Sequence, residues 1–444
     1  MPALLPLVPY TDRHRRLAAV LDRRAVFDEA VENAVRETLR DVRQRGDAAL
    51  LDLSERFDGV RPDPLRVPPA ELDRALDALD PALRDALERA AANVRRFHDA
   101  EMPASWTQDD GRGALFGQRV SPVERAGLYV PAGTAPLPSS VVMNVVPAQV
   151  AGVDEVHVCT PPQADGRPHP TILAAARLLG VRHVYAVGGA QAVAALAFGT
   201  ETVPRVDVVV GPGNAYVATA KKLVVGQVGI DSVAGPSEVV VLADDSADPT
   251  WAAADLLAQA EHDGRASAVL VTPSRRLAEA VQAEVERLVP TLRRADTLRA
   301  SLPAFGAAVV TDTMDEAVAC VDELAPEHLV ILSDDADALW KKIRHAGAVF
   351  LGHATPEPLG DYYAGPNHVL PTGGTARFAS ALGVHAFLRR QSVLRYTPER
   401  LAADADAVVR LAEAEGLGAH ALAVRVRGSG FTVQGEETVA GLSQ

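Results

Sequence analysis

Five groups of side chains have the types and spacing for chemistry. In PTWAAADLLAQAEHDG, a segment apolar nearly all round, Asp255, Gln259 and His262 fall at i, i+4 and i+7 and form one polar stripe. Such groups must meet polar partners inside a core. A metal ion would satisfy Gln259 and His262 together, and an internal hydrogen-bond network would serve equally. In Pro326-Glu327-His328-Leu329, which joins a helical pattern to a strand pattern, two proton-transfer groups with different ordinary pKa values stand side by side. Most adjacent Glu-His pairs are nonetheless solvated surface features. Asp361, Asn367 and His368 share a Gly/Pro-rich stretch that suits a ligand or a well-capped surface loop. Glu415 and His420 flank Gly416 and Gly418 near the end of the chain, where surface groups are the default. Finally, VYAVGGAQAVAALAFG and VDVVVGPGNAYVATAKK put Gly188, Gly189 and Gln191, then Gly211, Gly213 and Asn214, at strand-to-helix turns. Backbone N–H groups and the helix dipole there suit an anion, and two such turns suggest a nucleotide crevice. The usual dinucleotide fingerprint is missing, because Tyr216 stands where its last glycine would.

The elements that must position these groups follow from periodicity. Residues Phe27–Met102 repeat apolar positions at three and four, predicting helices that act as scaffold or partner contact. From Gly127, four short β-branched runs (GLYVPAG, VHVCTPP, VYAVGG, VDVVVGPG) alternate with small-residue helices. A second series runs through SEVVVLADD, ASAVLVTP, GAAVVTD, HLVILSDD and GAVFLG. Near-continuous apolar strands alternating with helices specify parallel sheets, doubly wound by right-handed crossovers. The expected fold is therefore α/β, with two Rossmann-like domains at 106–236 and 237–382. An N-terminal helical segment covers 1–105 and a C-terminal extension 383–444. After Gly352, about thirty residues are too rich in Gly and Pro for regular structure.

Composition narrows the function. The chain has 444 residues, with 44 Lys+Arg against 58 Asp+Glu and a net charge of −14. No basic block supplies the field that nucleic acid or an anionic membrane requires, so small molecules are the expected partners. Cys159 and Cys320 are too few for a disulfide framework or a Cys-based metal site, which fits a reducing, cytoplasmic setting. The N-terminus has no basic region followed by a continuous apolar run, so no secretory signal is expected. Val184–Thr200 is uncharged but too short and glycine-interrupted to span a bilayer.

In this order and near these spacings, GLYVPAG, VGGAQAVAALAFGT, GPGNAYVATAKK, IDSVAGPSEVVVLAD, LLAQAEHDG, APEHL, GDYYAGPNHVLPTGG and EGLGAHALAV resemble the histidinol dehydrogenase family. The likeness runs from about Asp41 to Val426. It implies oxidation of L-histidinol to L-histidine through L-histidinaldehyde, the last steps of histidine biosynthesis, with two NAD⁺ and one Zn²⁺ per site in a homodimer. By the same resemblance the zinc ligands are Gln259, His262, Asp361 and His420. Glu327 and His328 carry the proton transfers, and Gln259, His262, His328 and Asp361 also contact substrate along with His420. Ser237, His368 and Glu415 hold the substrate, and Tyr129, Gln191 and Asn214 bind NAD⁺ in the first α/β domain. The C-terminal residues cross to the partner, so the two subunits share their active sites. Asp255 stands outside the family's ligand set and is expected to brace or cap. A paralogue oxidising another small alcohol, a zinc hydrolase and a non-catalytic binding protein are the competing readings. The hydrolase leaves the glycine-rich turns unexplained.

Overall fold

The computed structural model describes residues 3–21, 29–132 and 136–427. Two compact units emerge, one of Met1–Met102 with Pro122–Phe387, the other of Pro103–Ser121 with the chain from Leu388. Strand β1 (Leu7–Pro9) and helix α1 (Arg13–Leu21) precede α2 (Glu29–Arg45), α3 (Asp47–Asp58), α4 (Pro69–Asp77) and α5 (Pro81–Ala100). Strands β2 (Trp106–Asp109) and β3 (Ala114–Pro122) pair antiparallel. The first α/β series comprises β4 (Arg125–Tyr129), α6 (Pro138–Ala151), β5 (Glu155–Thr160), α7 (Pro170–Leu178), β6 (His183–Ala186), α8 (Gly189–Phe198), β7 (Val208–Val210), α9 (Ala215–Val224) and β8 (Gly229–Ile230). The second comprises β9 (Glu238–Ala243), α10 (Pro249–Ala260), β10 (Ser267–Thr272), α11 (Arg275–Leu288), α12 (Ala295–Phe305), β11 (Gly306–Val310), α13 (Met314–Leu324), β12 (His328–Leu332), α14 (Ala336–Trp340) and β13 (Ala348–Leu351). Then come α15 (Pro358–Tyr362), β14 (Leu388–Tyr396), α16 (Pro398–Ala414) and α17 (Gly418–Arg425).

Each series forms a parallel sheet, as the apolar runs require. The first has the order β6-β5-β4-β7-β8 and the second β1-β11-β10-β9-β12-β13. Numbered within its own series, each sheet reads three-two-one-four-five. Strand order therefore reverses between β4 and β7 and between β9 and β12, the points where crevices open in such sheets. Both faces of the second sheet are covered: on β9, Val239 and Val241 join the core of α10 and α11, while Val240 and Leu242 join that of α13. On the first sheet, Tyr129, Tyr185 and Val209 share a core with Val35 of α2, Leu50 of α3 and Leu196 of α8.

Two local departures from expectation have simple causes. Leu7–Pro9, within the stretch read as helical, pairs with Ala308–Val310 as an edge strand; three residues carry too little periodicity to announce themselves. The Gly/Pro stretch contains a short α-helix, α15, because Pro358 occupies a first-turn position where its missing N–H costs nothing, and a 3-10 turn at Thr375–Arg377. Cys159 and Cys320 are buried free thiols. No helix among the described residues is long and apolar enough to cross a membrane.

On β5, buried His157 faces Tyr185 Oη at 3.1 Å and Glu155 at 3.2 Å, with the His183 ring stacked 4.8 Å away. Burial, helped by His183, lowers its pKa from 6.5 to about 4. The unfolded chain therefore takes up a proton here at a higher pH than the folded one. Stability falls as pH drops between these two values, by at most roughly 3 kcal/mol. Denaturant midpoints measured across that window should decline less steeply for His157→Gln than for the parent chain. An identical decline would assign the effect to other groups.

Candidate active site

A cavity of about 970 Å³ opens in the larger unit, lined by both of its parallel sheets. The first sheet meets it with carboxyl ends: Tyr129 closes β4, Gly189 and Gln191 open α8, and Pro212, Gly213 and Asn214 link β7 to α9. The second sheet meets it with amino ends: Ser237 precedes β9, Glu327 precedes β12 and His328 begins it.

The Glu327–His328 corner is built by a stop and a turn. Helix α13 ends at Leu324, and Ala325 turns the chain with φ 46° and ψ 61°, the left-handed region that a Cβ disfavours. It is the one non-glycine residue with positive φ among those described, and Pro326 follows it immediately. Glu327 and His328 are consequently carried inward and buried, against the usual exposure of such a pair. Glu327 Oε2 accepts from the Glu238 N–H at 2.8 Å and from Gln259 Nε2 at 3.3 Å. His328 Nδ1 lies 3.1 Å from the Glu238 carbonyl, and Nε2 lies 3.2 Å from Asp361 Oδ1. Gly347 brings β13 in behind, since a Cβ there would sit 2.6 Å from the Glu327 carbonyl oxygen.

Charge at this corner is unbalanced. Glu327, Glu357 and Asp361 all approach one imidazole, at 3.6, 3.8 and 3.2 Å. Burial by itself lowers the His328 pKa, yet Glu327 and Asp361 overturn that effect and hold it well above the ordinary value. Burial pushes Glu357 up to about 9. Asp361 is held below the usual carboxylate range by His328 despite its burial. The metal-competent atoms of His328, Glu357 and Asp361 lie within 4.8 Å of one another. Gln259, 1% exposed, turns Oε1 into the interior with no hydrogen-bond partner.

Of the residues singled out in the sequence, Ser237, Gln259, His262, Glu327, His328, Asp361 and His368 line the cavity, as do Tyr129, Gln191 and Asn214. His262 is not on the helix, contrary to the stripe: α10 stops at Ala260 because Asp263 engages the Arg265 N–H in a turn, leaving His262 exposed at the cavity wall. Asp255 braces, its carboxylate accepting from the Glu357 N–H, and burial lifts its pKa to about 6. His368 bridges the Asp361 carbonyl at 2.8 Å and Ser140 Oγ at 3.2 Å. Asn367 proves structural, donating to the Met143 carbonyl. Asn214 caps α9 by accepting from the Tyr216 and Val217 N–H groups. The Tyr129 hydroxyl accepts from the Gly189 N–H at 3.2 Å, so the two glycine-rich turns, on strands that are not neighbours, reach one cavity across β4. Glu415 and His420 belong to the smaller unit and are exposed on it.

Sequence reasoning missed two features. Glu357 stands four residues before Asp361, a helical spacing hidden by the surrounding Gly and Pro. The helices α2 and α3, read as scaffold, supply Thr38, Asp41, Phe57 and Asp58 to the cavity wall; their periodicity carried no sign of this.

Residues 21–428 match the family model described as histidinol dehydrogenase. This chain belongs to the histidinol dehydrogenase family. The histidinol dehydrogenase of Geobacillus kaustophilus (strain HTA426) is 53% identical over 399 residues, covering 90% of this chain and 94% of its own length. That of Chlorobium chlorochromatii (strain CaD3) is 50% identical over 424 residues, covering 96% and 99%. The crystal structure of histidinol dehydrogenase from Elizabethkingia anophelis is similar with a TM-score of 0.90 at 33% identity, over 96% of this chain and 98% of that one. Histidinol dehydrogenases are oxidoreductases of histidine biosynthesis, and the chain is accordingly an oxidoreductase.

The turn before Glu327 yields a stability test. Ala325→Gly relieves the left-handed strain and should hold or raise stability by up to about 1 kcal/mol, whereas Ala325→Val should cost roughly 2 kcal/mol or more. Urea denaturation of both variants measures this; equal losses would mean that Ala325 is not strained.

Proposed function

We propose that this chain oxidises L-histidinol to L-histidine through L-histidinaldehyde, using two NAD⁺ and one zinc ion per active site. The observation that carries this reading is the buried Glu327–His328 pair on the wall of a cavity that also receives two glycine-rich, helix-opening turns. The residues fit a divalent cation: Gln259 offers a buried, unpartnered oxygen, and three carboxylates surround a single imidazole. Gln259, His262 and Asp361 would hold zinc, with His420 supplied by a partner subunit. When bound, zinc orients the substrate's nitrogens and NAD⁺ is the hydride acceptor. The neutral Gln259 oxygen makes this a removable metal.

The chain's own residues then perform the proton transfers. His328 takes the alcohol proton in the first oxidation. It must be neutral to do so, and drawing the Asp361 charge toward a cation removes part of what holds its proton. Glu327, with Oε2 anchored by the Glu238 N–H, takes a proton from the water that attacks the aldehyde carbon. Once His328 has released its first proton to solvent and is neutral again, it accepts a proton from the resulting hydrate in the second oxidation. No thiol intervenes; both cysteines are buried, with burial raising their pKa values.

Ser237, His368 and Glu415 hold the substrate, and Tyr129, Gln191 and Asn214 hold NAD⁺ beside the anion-binding turns. A homodimer accounts for Glu415 and His420, which serve the neighbouring subunit's site. Supporting this, the smaller unit exposes Leu394, Leu411, Leu417 and Leu422, apolar surface that a partner would cover. A cytoplasmic location suits two reduced cysteines and a cofactor of central metabolism.

A zinc-dependent assay with histidinol should release two NADH per histidine formed; hydrolysis of esters or amides without NAD⁺ would replace this reading with a hydrolase. Glu327→Gln should slow histidinaldehyde oxidation by about 10²-fold or more while slowing histidinol oxidation far less. Equal losses would contradict the division of roles.

A further inference from the structure

We propose that Lys221 and Asp231 are positioning residues that fix the turn between β7 and α9 in the shape that receives NAD⁺. This inference rests on the NAD⁺ reading above. Lys221 lies on α9 and Asp231 just beyond β8, with side chains only 2% and 3% exposed. They form an ion pair, and both also grip one residue: Lys221 Nζ donates to the Gly211 carbonyl at 2.9 Å, and Asp231 Oδ2 accepts from the Gly211 N–H at 2.9 Å. Neither side chain lines the cavity, whereas Pro212, Gly213 and Asn214, the next three residues, all do.

Gly211 needs that grip. It leaves β7 with φ +113°, and a Cβ on it would lie 2.2 Å from the Tyr129 carbonyl oxygen. Its N–H and C=O are buried groups that must be hydrogen-bonded. Stability alone does not explain why charged side chains meet them, because well-packed apolar residues of similar volume are often equally good in a core. An apolar pair, however, could not bond both polar groups of Gly211. The pair's contribution is therefore the shape of the turn. Downstream, Gly213 is pressed against Val217 and Asn214 caps the helix, so an error at Gly211 passes directly to the cavity wall.

The double variant Lys221→Met/Asp231→Leu removes both charges together and leaves no lone buried ion. With the fold checked by circular dichroism and zinc content measured, its KM for NAD⁺ should rise about tenfold or more. Its kcat should change by less than about threefold and its KM for histidinol should stay put, the pattern of lost cofactor binding. Asp231→Asn retains an acceptor for the Gly211 N–H but weakens the pair, so it should raise the same KM by a smaller factor; it also carries the test if the double variant does not fold. An unchanged KM for NAD⁺ in either folded variant, or a loss confined to kcat, overturns the inference. A parent enzyme that forms no NADH from histidinol is a separate result, which overturns the NAD⁺ reading itself.

Discussion

Three carboxylates crowd one buried imidazole, and the rest of the larger unit is arranged to hold them there. Glu327 arrives at the entry to β12 and Glu357 and Asp361 from the N-cap and first turn of α15, and His328 cannot satisfy all of them. In a dry site such an excess of negative charge is costly unless something positive joins it. Protonation of Glu357 and His328 is one response within the chain, visible in their raised pKa values. The cation proposed above would be another, and Gln259 carries a buried oxygen without a hydrogen-bond partner. The backbone strain at Ala325 belongs to the same constraint, because a relaxed helix end would not deliver Glu327 and His328 inward from consecutive positions.

The two sheets use opposite ends. The first follows the general habit of open α/β sheets, presenting helix N-termini and glycine-rich turns at the carboxyl ends of its strands. The second offers the amino ends of β9 and β12, where strands enter rather than leave. At the carboxyl ends of those strands, Asp244 and Ser333 bond each other instead, and Asp244 also takes the Ser246 N–H. Anion-binding dipoles therefore come from one sheet and titratable side chains from the other. One cavity receives both.

Legibility in the sequence followed the range of the interactions. The strand runs VHVCT, EVVVLA and HLVIL and the turns Gly188-Gly189 and Gly211-Pro212-Gly213 could be read directly, because parallel strands buried on both faces and tight strand-to-helix turns constrain residues that are neighbours in the chain. Their grouping with Glu327, His328 and Asp361 was legible only through resemblance to a family. His262 was misplaced by helical periodicity, since an Asx turn at Asp263 overrode a pattern that continued on paper. The cavity wall from α2 and α3 left no local trace, because amphipathic helices look alike whatever their polar faces meet.

By itself the sequence determined the alternation of strand and helix and which side chains could move protons. Tertiary structure decided that Glu327 and His328 are buried, that Glu357 joins them, and that Lys221 and Asp231 grip a single glycine. The physical reason is distance along the chain. Periodicity and turn chemistry act over a few residues, whereas burial and electrostatic crowding arise only when separate segments, ten to ninety residues apart here, are packed against one another.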